Sequence, residues 1–387
     1  MKINTSKETL AFRPFAVEQF LSECEHGVTY NFSESGVHPM RYGELIELAG
    51  IELEDLLAQR VDYPQVNGNE LLRDRIAALY NAATASNVLV TVGATEANTL
   101  VANTLLESGD NLVCFSPTYE QLAGNAHNRG HEVRWVPQRE EDGWAIDLDA
   151  LASAVDSQTR LIHLVNPNNP TGRILSQDQR DAVIAQARRV GAWIVADEVY
   201  AGTERDTDVP TPSFWGCYER VVAINSTSKA YGLPGLRLGW LLAPESLIGS
   251  LWRRHEYASI AASDMSMRLT SAALVPEVRD KLTFRARTLI RRGFETLASS
   301  LAKRPEIFSV VPPQASAMSF VRYQLPISSE ELVGRLLLEE DMLVVPGAHF
   351  GREHHIRFSS ALPEAHLSEG LKKLHALTDR VIAEQGG

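Results

Sequence analysis

The segment INSTSKAYGLPGLRLGW (224–240) sets a lysine, Lys229, at the end of an apolar run, inside a cluster of small hydroxyl residues. A solvated lysine has no reason to sit there, whereas an amine partly withdrawn from water is a Schiff-base nucleophile toward an aldehyde. Ser226 precedes it by three residues, and Arg237 follows by eight in a glycine-rich return. Upstream, ADEVY (196–200) ends the apolar run WIVA on Asp197. A carboxylate there is costly unless it meets a positive charge or a protonated nitrogen. Tyr200, three residues on, is within reach of the same ligand. In NPNNPTG (166–172) the prolines and glycine fit turn chemistry, but the asparagine pattern asks for more: a rigid loop that presents fixed amides, Asn169 among them, to a ligand.

Two further segments are weaker alone. VTVGATEANTL (90–100) exposes backbone N–H groups around Ala94 and Thr95 at a helix start, a site for a phosphate, although a tight strand-to-helix turn is the simpler reading of the same residues. SPTYEQL (116–122) sets Tyr119 just past an apolar run, either as a core tyrosine or as a ring stacked on a planar ligand. One cofactor needs all these parts. Pyridoxal phosphate requires a lysine for its aldehyde, a carboxylate for its pyridinium nitrogen, donors for its phenolic oxygen, a stacked ring and a phosphate cup with a cation. No cluster has metal-ligand spacing, so no metal is expected.

The elements that must position these groups are legible as apolar runs separated by amphipathic stretches. The runs are 88–93, 111–117, 132–137, 160–167, 193–200, 221–229 and 238–244. Continuous apolar character marks strands covered on both faces, and segments such as SQDQRDAVIAQARRVG (176–191) have helical spacing and a C-terminal glycine. Strand alternating with helix predicts an α/β core with a mostly parallel sheet, in which ligands bind at the carboxyl ends of the strands. After about residue 250 the pattern becomes α+β: helices over roughly 244–304, a strand-like stretch at 309–325, a helix near 328–340, strands at 342–347 and 355–360, and a closing helix at 363–384.

The 387 residues carry 37 Lys+Arg against 49 Asp+Glu, a formal net charge of −12. That balance argues against general affinity for nucleic acid or an anionic membrane, which need a basic surface. No apolar run approaches the roughly 18 residues of a membrane helix. The three cysteines, Cys24, Cys114 and Cys217, are too few for a disulfide framework and fit a reducing compartment, so a cytoplasmic location is expected.

From about Tyr30 to the C-terminus the chain resembles the class I/II aminotransferase family of fold type I pyridoxal-phosphate enzymes. NPNNPTG, DEVY and STSKAYGLPGLRLGW carry the resemblance. It implies a large cofactor-binding domain (46–270) with a mostly parallel sheet flanked by helices, and a smaller α+β domain built from both chain ends (1–45 and 271–387). It implies that Lys229 holds the cofactor and moves the substrate's Cα proton, that Asp197 keeps the ring nitrogen protonated, and that Asn169 and Tyr200 bond the phenolic oxygen. Tyr119 would stack on the ring, while Ala94, Thr95, Ser226 and Arg237 hold the phosphate. Arg357, in HIRFSSAL, matches the arginine that grips the α-carboxylate of an amino-acid substrate, with Asn169 beside it. Tyr63, in YPQVNGNELLR, matches a tyrosine lent across a homodimer interface, so two shared sites are implied.

One stretch departs from the family. NFSESGVHPMRYGEL (31–45) keeps Gly36 but has Val37-His38 where relatives carry an acid-proline pair, and resembles the capreomycidine synthase group. Those relatives eliminate a hydroxyl from a hydroxyarginine and close the guanidino group into a ring. The resemblance sets Glu34 and His38 over the substrate side, Glu34 suited to a guanidinium and His38 to acid–base work, or else His38 is a structural histidine. His349, in PGAHFG, carries the same ambiguity. Transfer of the amino group to a 2-oxo acid is the competing outcome. A cofactor-binding regulator is disfavoured because only about 40 residues precede the core, and a dinucleotide oxidoreductase because no G-x-G-x-x-G opens the first βα unit.

Overall fold

The computed structural model describes residues 12–385. A helix, Ala16–Cys24, and the short strand β1 (Tyr30–Asn31) lead into a region of helices over 42–77. The central sheet then forms from β2 (Val88–Thr91), β3 (Asn111–Ser116), β4 (Glu132–Arg139), β5 (Ala145–Ile146), β6 (Thr159–Val165), β7 (Trp193–Asp197), β8 (Val221–Ser226) and β9 (Gly239–Leu242). Its spatial order is β2-β9-β8-β7-β6-β3-β4-β5, and only β9 and β5 run against the rest. All seven apolar runs read from the sequence are strands of this sheet.

Continuous apolar character has a direct cause here. In β3, Leu112 and Cys114 pack into one core with Leu89, Leu161 and Val195, while Val113 and Phe115 pack into another with Ile162, Ile194 and Ala196. Successive side chains point to opposite faces, so a strand covered on both sides needs apolar residues at every position. The helix Gln177–Val190 illustrates the covering layer. Ser176 caps its start by accepting from Gln179 N–H, and Gly191 ends it at φ 71, a left-handed value glycine adopts without steric cost.

Beyond the sheet, the helical region breaks into Glu245–Ala258, Asp264–Ala273 and Pro276–Leu301, the last opening on a proline, whose missing N–H has no helical partner at that position. A second, antiparallel sheet follows: β10 (Phe308–Val310), β11 (Met318–Tyr323), β13 (Val345–Pro346) and β14 (His355–Ser359), in the order β10-β11-β14-β13. The strand-like stretch 309–325 is two strands, because Pro312 and Pro313 cannot donate ladder bonds. The remaining strand, β12 (Met342–Leu343), pairs in parallel with β1, and Phe32 O accepts from Ser359 N–H at 2.9 Å. Phe32 is buried in a core with Leu297, Phe358, Leu371 and Leu374, and Phe20, Cys24, Val28 and Tyr30 pack against the same core, so this part of the N-terminal segment joins the last hundred residues. Among the described residues no helix is long and apolar enough to cross a membrane, and Cys24, Cys114 and Cys217 are unpaired.

Candidate active site

Strands β2, β3, β6, β7 and β8 share one direction, so their carboxyl ends meet along one edge of the sheet. A cavity of about 220 Å³ opens there. Its wall takes Ala94 and Thr95 from beyond β2, Tyr119 from beyond β3, Asn169 from beyond β6, Asp197 from the end of β7 with Tyr200 beyond it, and Ser226 from the end of β8 with Lys229 beyond it, and Arg237 on the return to β9. Residues spread over 144 positions of sequence (94 to 237) are thus neighbours because parallel strands end together.

Asp197 is buried, and its Oδ2 accepts from Asn98 Nδ2 at 2.9 Å. Burial pushes its carboxyl pKa up, against the pull of Asn98, the Val199 N–H and Lys229. The asparagines of NPNNPTG divide their work. Asn166 Oδ1 accepts from Leu175 N–H, and Asn168 bonds Pro117 O, Thr118 and Thr171, so both fix the loop. Asn169 alone reaches the cavity: its Nδ2 donates to Tyr200 OH at 3.2 Å, and its Oδ1 accepts from Arg357 Nη1 at 3.2 Å. Arg357, on β14, is 2% exposed; Nη2 donates to Ser33 O at 2.6 Å, while Nε has no partner among the described residues. Burial pulls its guanidinium pKa below the ordinary value. Lys229 Nζ donates to Ser35 Oγ at 2.6 Å and lies 6.0 Å from the centre of the Tyr200 ring.

The far end of the cavity is a close backbone contact. Thr91 and Ser226 both pair with Gly239, bringing β2 and β8 together around β9. A Cβ on Gly239 would come 2.5 Å from the Gly93 carbonyl carbon, and one on Gly93, at φ 73, would come 2.8 Å from Arg237 Nη2. Glycine at both positions lets the start of the helix Gly93–Leu105 approach Arg237. Glu96 accepts from Val92 N–H at 2.6 Å and from Ser259 Oγ at 2.7 Å, with His255 Nδ1 at 2.9 Å, which fixes that first turn.

The sequence profile described as aminotransferase class I and II matches residues 49–374. The chain belongs to that family. Capreomycidine synthase of Streptomyces vinaceus is 30% identical over 361 residues, covering 92% of this chain and 91% of that protein. A solved aminotransferase from Streptococcus suis, described as dependent on pyridoxal phosphate, superposes with a TM-score of 0.90 at 30% identity, over 96% of this chain and 99% of that one. The cyclase OrfR, also described as dependent on pyridoxal phosphate, superposes at 0.86 with 27% identity, over 97% and 99%.

The cofactor this aminotransferase family implies is pyridoxal 5′-phosphate, and the residues present fit it. A buried carboxylate stands ready for the ring nitrogen, an amide–phenol pair for the phenolic oxygen, a helix start with Ser226 and Arg237 for the phosphate, and an amine for the aldehyde. Two buried polar atoms beside these groups, Asn98 Oδ1 and Arg357 Nε, have no partner among the described residues and are open to a bound group.

Sequence reasoning missed Asn98, Ser35 and Glu18, all in the cavity wall. Asn98 was findable, since it lies four residues beyond Ala94 on one helix face; Ser35 and Glu18 lie in an irregular segment and a distant helix that no periodicity connects to the site. Gly36 is close behind the lysine: a Cβ there would meet Ser228 O at 3.1 Å and Lys229 Cδ at 3.7 Å. Glu34 lines the cavity, but His38 does not. The chain bends at Ser35–Val37 and buries Val37 against Ala286 and Ile290, so strand alternation fails and His38 turns out toward solvent. Its N–H donates to Ala361 O and its carbonyl accepts from Arg285. Burial, then Arg285, pull its imidazole pKa below the ordinary value. His349 lines a separate cavity with Arg13 and Trp135, its ring 5.2 Å from that of Phe20. Tyr63 is 92% exposed and stands apart from its own chain's cavity.

Proposed function

We propose that this enzyme takes a free α-amino acid, removes its Cα proton with Lys229, and is specialised for losing a hydroxyl from a hydroxylated arginine and closing the guanidino group into a ring. The observation that carries the reading is the convergence of Lys229, the Asp197–Asn98 pair, the Asn169–Tyr200 pair and Arg357 at one edge of the sheet. The bound cofactor supplies an electron sink for the pair left behind when Cα loses its proton. Everything else is done by the chain. Arg357 takes the substrate carboxylate, and its link to Asn169 sets the substrate relative to the phenolic oxygen. Ser35 holds Lys229 Nζ on the substrate side, from which the amine accepts the Cα proton. Asp197, Asn169 and Tyr200 orient the ring, while Ala94, Thr95, Ser226 and Arg237 anchor the phosphate; Tyr119 covers the ring face.

In the specialised reaction the side-chain hydroxyl leaves as water and a guanidino nitrogen adds to the carbon it left, so the net change is loss of one water. The similarity to capreomycidine synthase and to a cyclase supports this reading, as does Glu34 in the cavity wall. His38, turned outward, is read as structural. The second reading, transfer of the amino group to a 2-oxo acid, is favoured by the same Lys229–Arg357 geometry. We further propose a cofactor domain over 46–270 and a small domain from both chain ends, and a homodimer in which exposed Tyr63 reaches the other site. A cytoplasmic location suits the three free thiols. To test the reaction, holoenzyme is incubated with arginine hydroxylated at the β or γ carbon and with common amino acids. Loss of 18 mass units, about one water, with the cofactor returned unchanged supports cyclisation. Amino-group transfer to the cofactor with common amino acids, and no reaction with guanidino compounds, removes it.

A further inference from the structure

The described cations in the cavity wall are Lys229 and Arg237, with Arg357 one contact behind Asn169. On the reading above, the phosphate occupies Arg237, the substrate carboxylate occupies Arg357, and Asp197 pairs with the ring nitrogen. Two carboxylates in the same wall, Glu18 and Glu34, then have no positive partner among the described residues. They come from separate elements. Glu34 adjoins Ser35, the residue that holds Lys229. Glu18 stands in the first turn of the helix Ala16–Cys24, and its Oε1 accepts from Tyr119 OH at 2.8 Å.

That helix is tied down firmly at its start. Arg13 Nη2 donates to Glu120 at 2.9 Å, Arg13 N–H donates to Asn128 Oδ1 at 2.8 Å, Asn128 Nδ2 returns a bond to Arg13 O, and the Phe15 and Tyr119 rings are 4.9 Å apart. Glu18 is therefore held at the cavity by the segment that carries Tyr119, and is not a side chain free to turn away. Both acids act through space on the Arg357 guanidinium. Asn98, 2% exposed and in the same wall, has an Oδ1 without a partner among the described residues.

We propose that Glu18 and Glu34 determine substrate specificity, jointly accepting the guanidinium of the amino acid whose carboxylate Arg357 holds. A guanidinium presents its donors as a planar fork, which two carboxylates approaching from different elements can accept at once; an ammonium is a single point charge. This deepens the reading of an α-amino-acid enzyme and rests on it.

The test measures ligand dissociation constants with holoenzyme, read from the cofactor's absorbance change on titration with L-arginine, its neutral isostere L-citrulline, and L-alanine. Arginine is expected to bind roughly ten- to a hundredfold more tightly than citrulline, the range of a charge-assisted hydrogen bond or two. Glu18→Gln and Glu34→Gln should each weaken arginine about tenfold and leave citrulline and alanine unchanged. The unchanged alanine constant shows that the variants still fold and bind. Equal binding of arginine and citrulline by the unaltered enzyme overturns the proposal while leaving the α-amino-acid reading intact. Full discrimination retained in Glu18→Gln overturns the role of Glu18. If no amino acid alters the absorbance, the underlying reading fails as well.

Discussion

Asn98 donates from Nδ2 to Asp197 Oδ2 across 2.9 Å, so the helix that starts at the proposed phosphate cup also holds the carboxylate meant for the ring nitrogen. Ala94 and Asn98 are one helical turn apart, separated by about 6 Å of rise. One rigid element would thereby fix the residues proposed for the two ends of the cofactor relative to each other. Removing the amide in Asn98→Ala takes away a stabilising partner from a carboxyl whose pKa burial already raises. Cofactor affinity, measured by titrating dialysed protein with pyridoxal phosphate, is expected to fall about tenfold. Unchanged affinity would mean that the pair does not orient the cofactor.

The sheet was legible because strands buried on both faces must be continuously apolar, and each chemical group sits directly beyond such a run. Lys229, Asp197 and Asn169 were accessible for that reason. The segment 31–38 was harder. Extended alternation would put Glu34, Gly36 and His38 on one side, but the bend at Ser35–Val37 keeps Glu34 and Ser35 at the cavity and turns His38 away. Glu18 left no trace in the sequence at all, since its place depends on how the helix Ala16–Cys24 docks on residues 119–128, a tertiary contact with no local pattern.

Arg357→Lys tests the carboxylate grip. Lysine keeps the charge but cannot reproduce the two bonds to Asn169 Oδ1 and Ser33 O together with a free edge for the substrate. KM for the amino acid should rise roughly ten- to a hundredfold, with cofactor affinity unchanged. A parallel loss of cofactor would place Arg357 in the cofactor site instead.

Gly239→Ala tests the close backbone contact behind the phosphate cup. The new methyl would meet the Gly93 carbonyl carbon at 2.5 Å and Ala94 N at 2.6 Å, both backbone atoms that cannot swing aside. A loss of about 1–3 kcal/mol in stability and weaker cofactor binding are expected. Gly249→Ala, in the helix Glu245–Ala258 with nothing within 4 Å of the added Cβ, is the control and should gain up to about 1 kcal/mol. Equal effects of the two would dismiss the contact.

Glu198, next to Asp197, has its carboxyl pushed up to about 7 by burial, against bonds from the Phe214 N–H and Ser213. A raised acid favours the protonated form in the folded state, so its cost to stability is absent below the ordinary carboxylate range and grows as pH rises to about 7. That cost is about 3 kcal/mol in full. Glu198→Gln keeps an acceptor for Phe214 N–H, so the fall in Tm between about pH 5 and 7 should flatten in this variant. An unaltered pH profile would show that Glu198 stays charged in the fold.

The central claim is that Lys229 carries the cofactor. Holoenzyme treated with borohydride, digested and analysed by mass spectrometry should yield one peptide bearing the reduced cofactor, attached at Lys229 Nζ, and Lys229→Ala should yield none. Attachment at another lysine, or equal labelling in Lys229→Ala, would contradict the account.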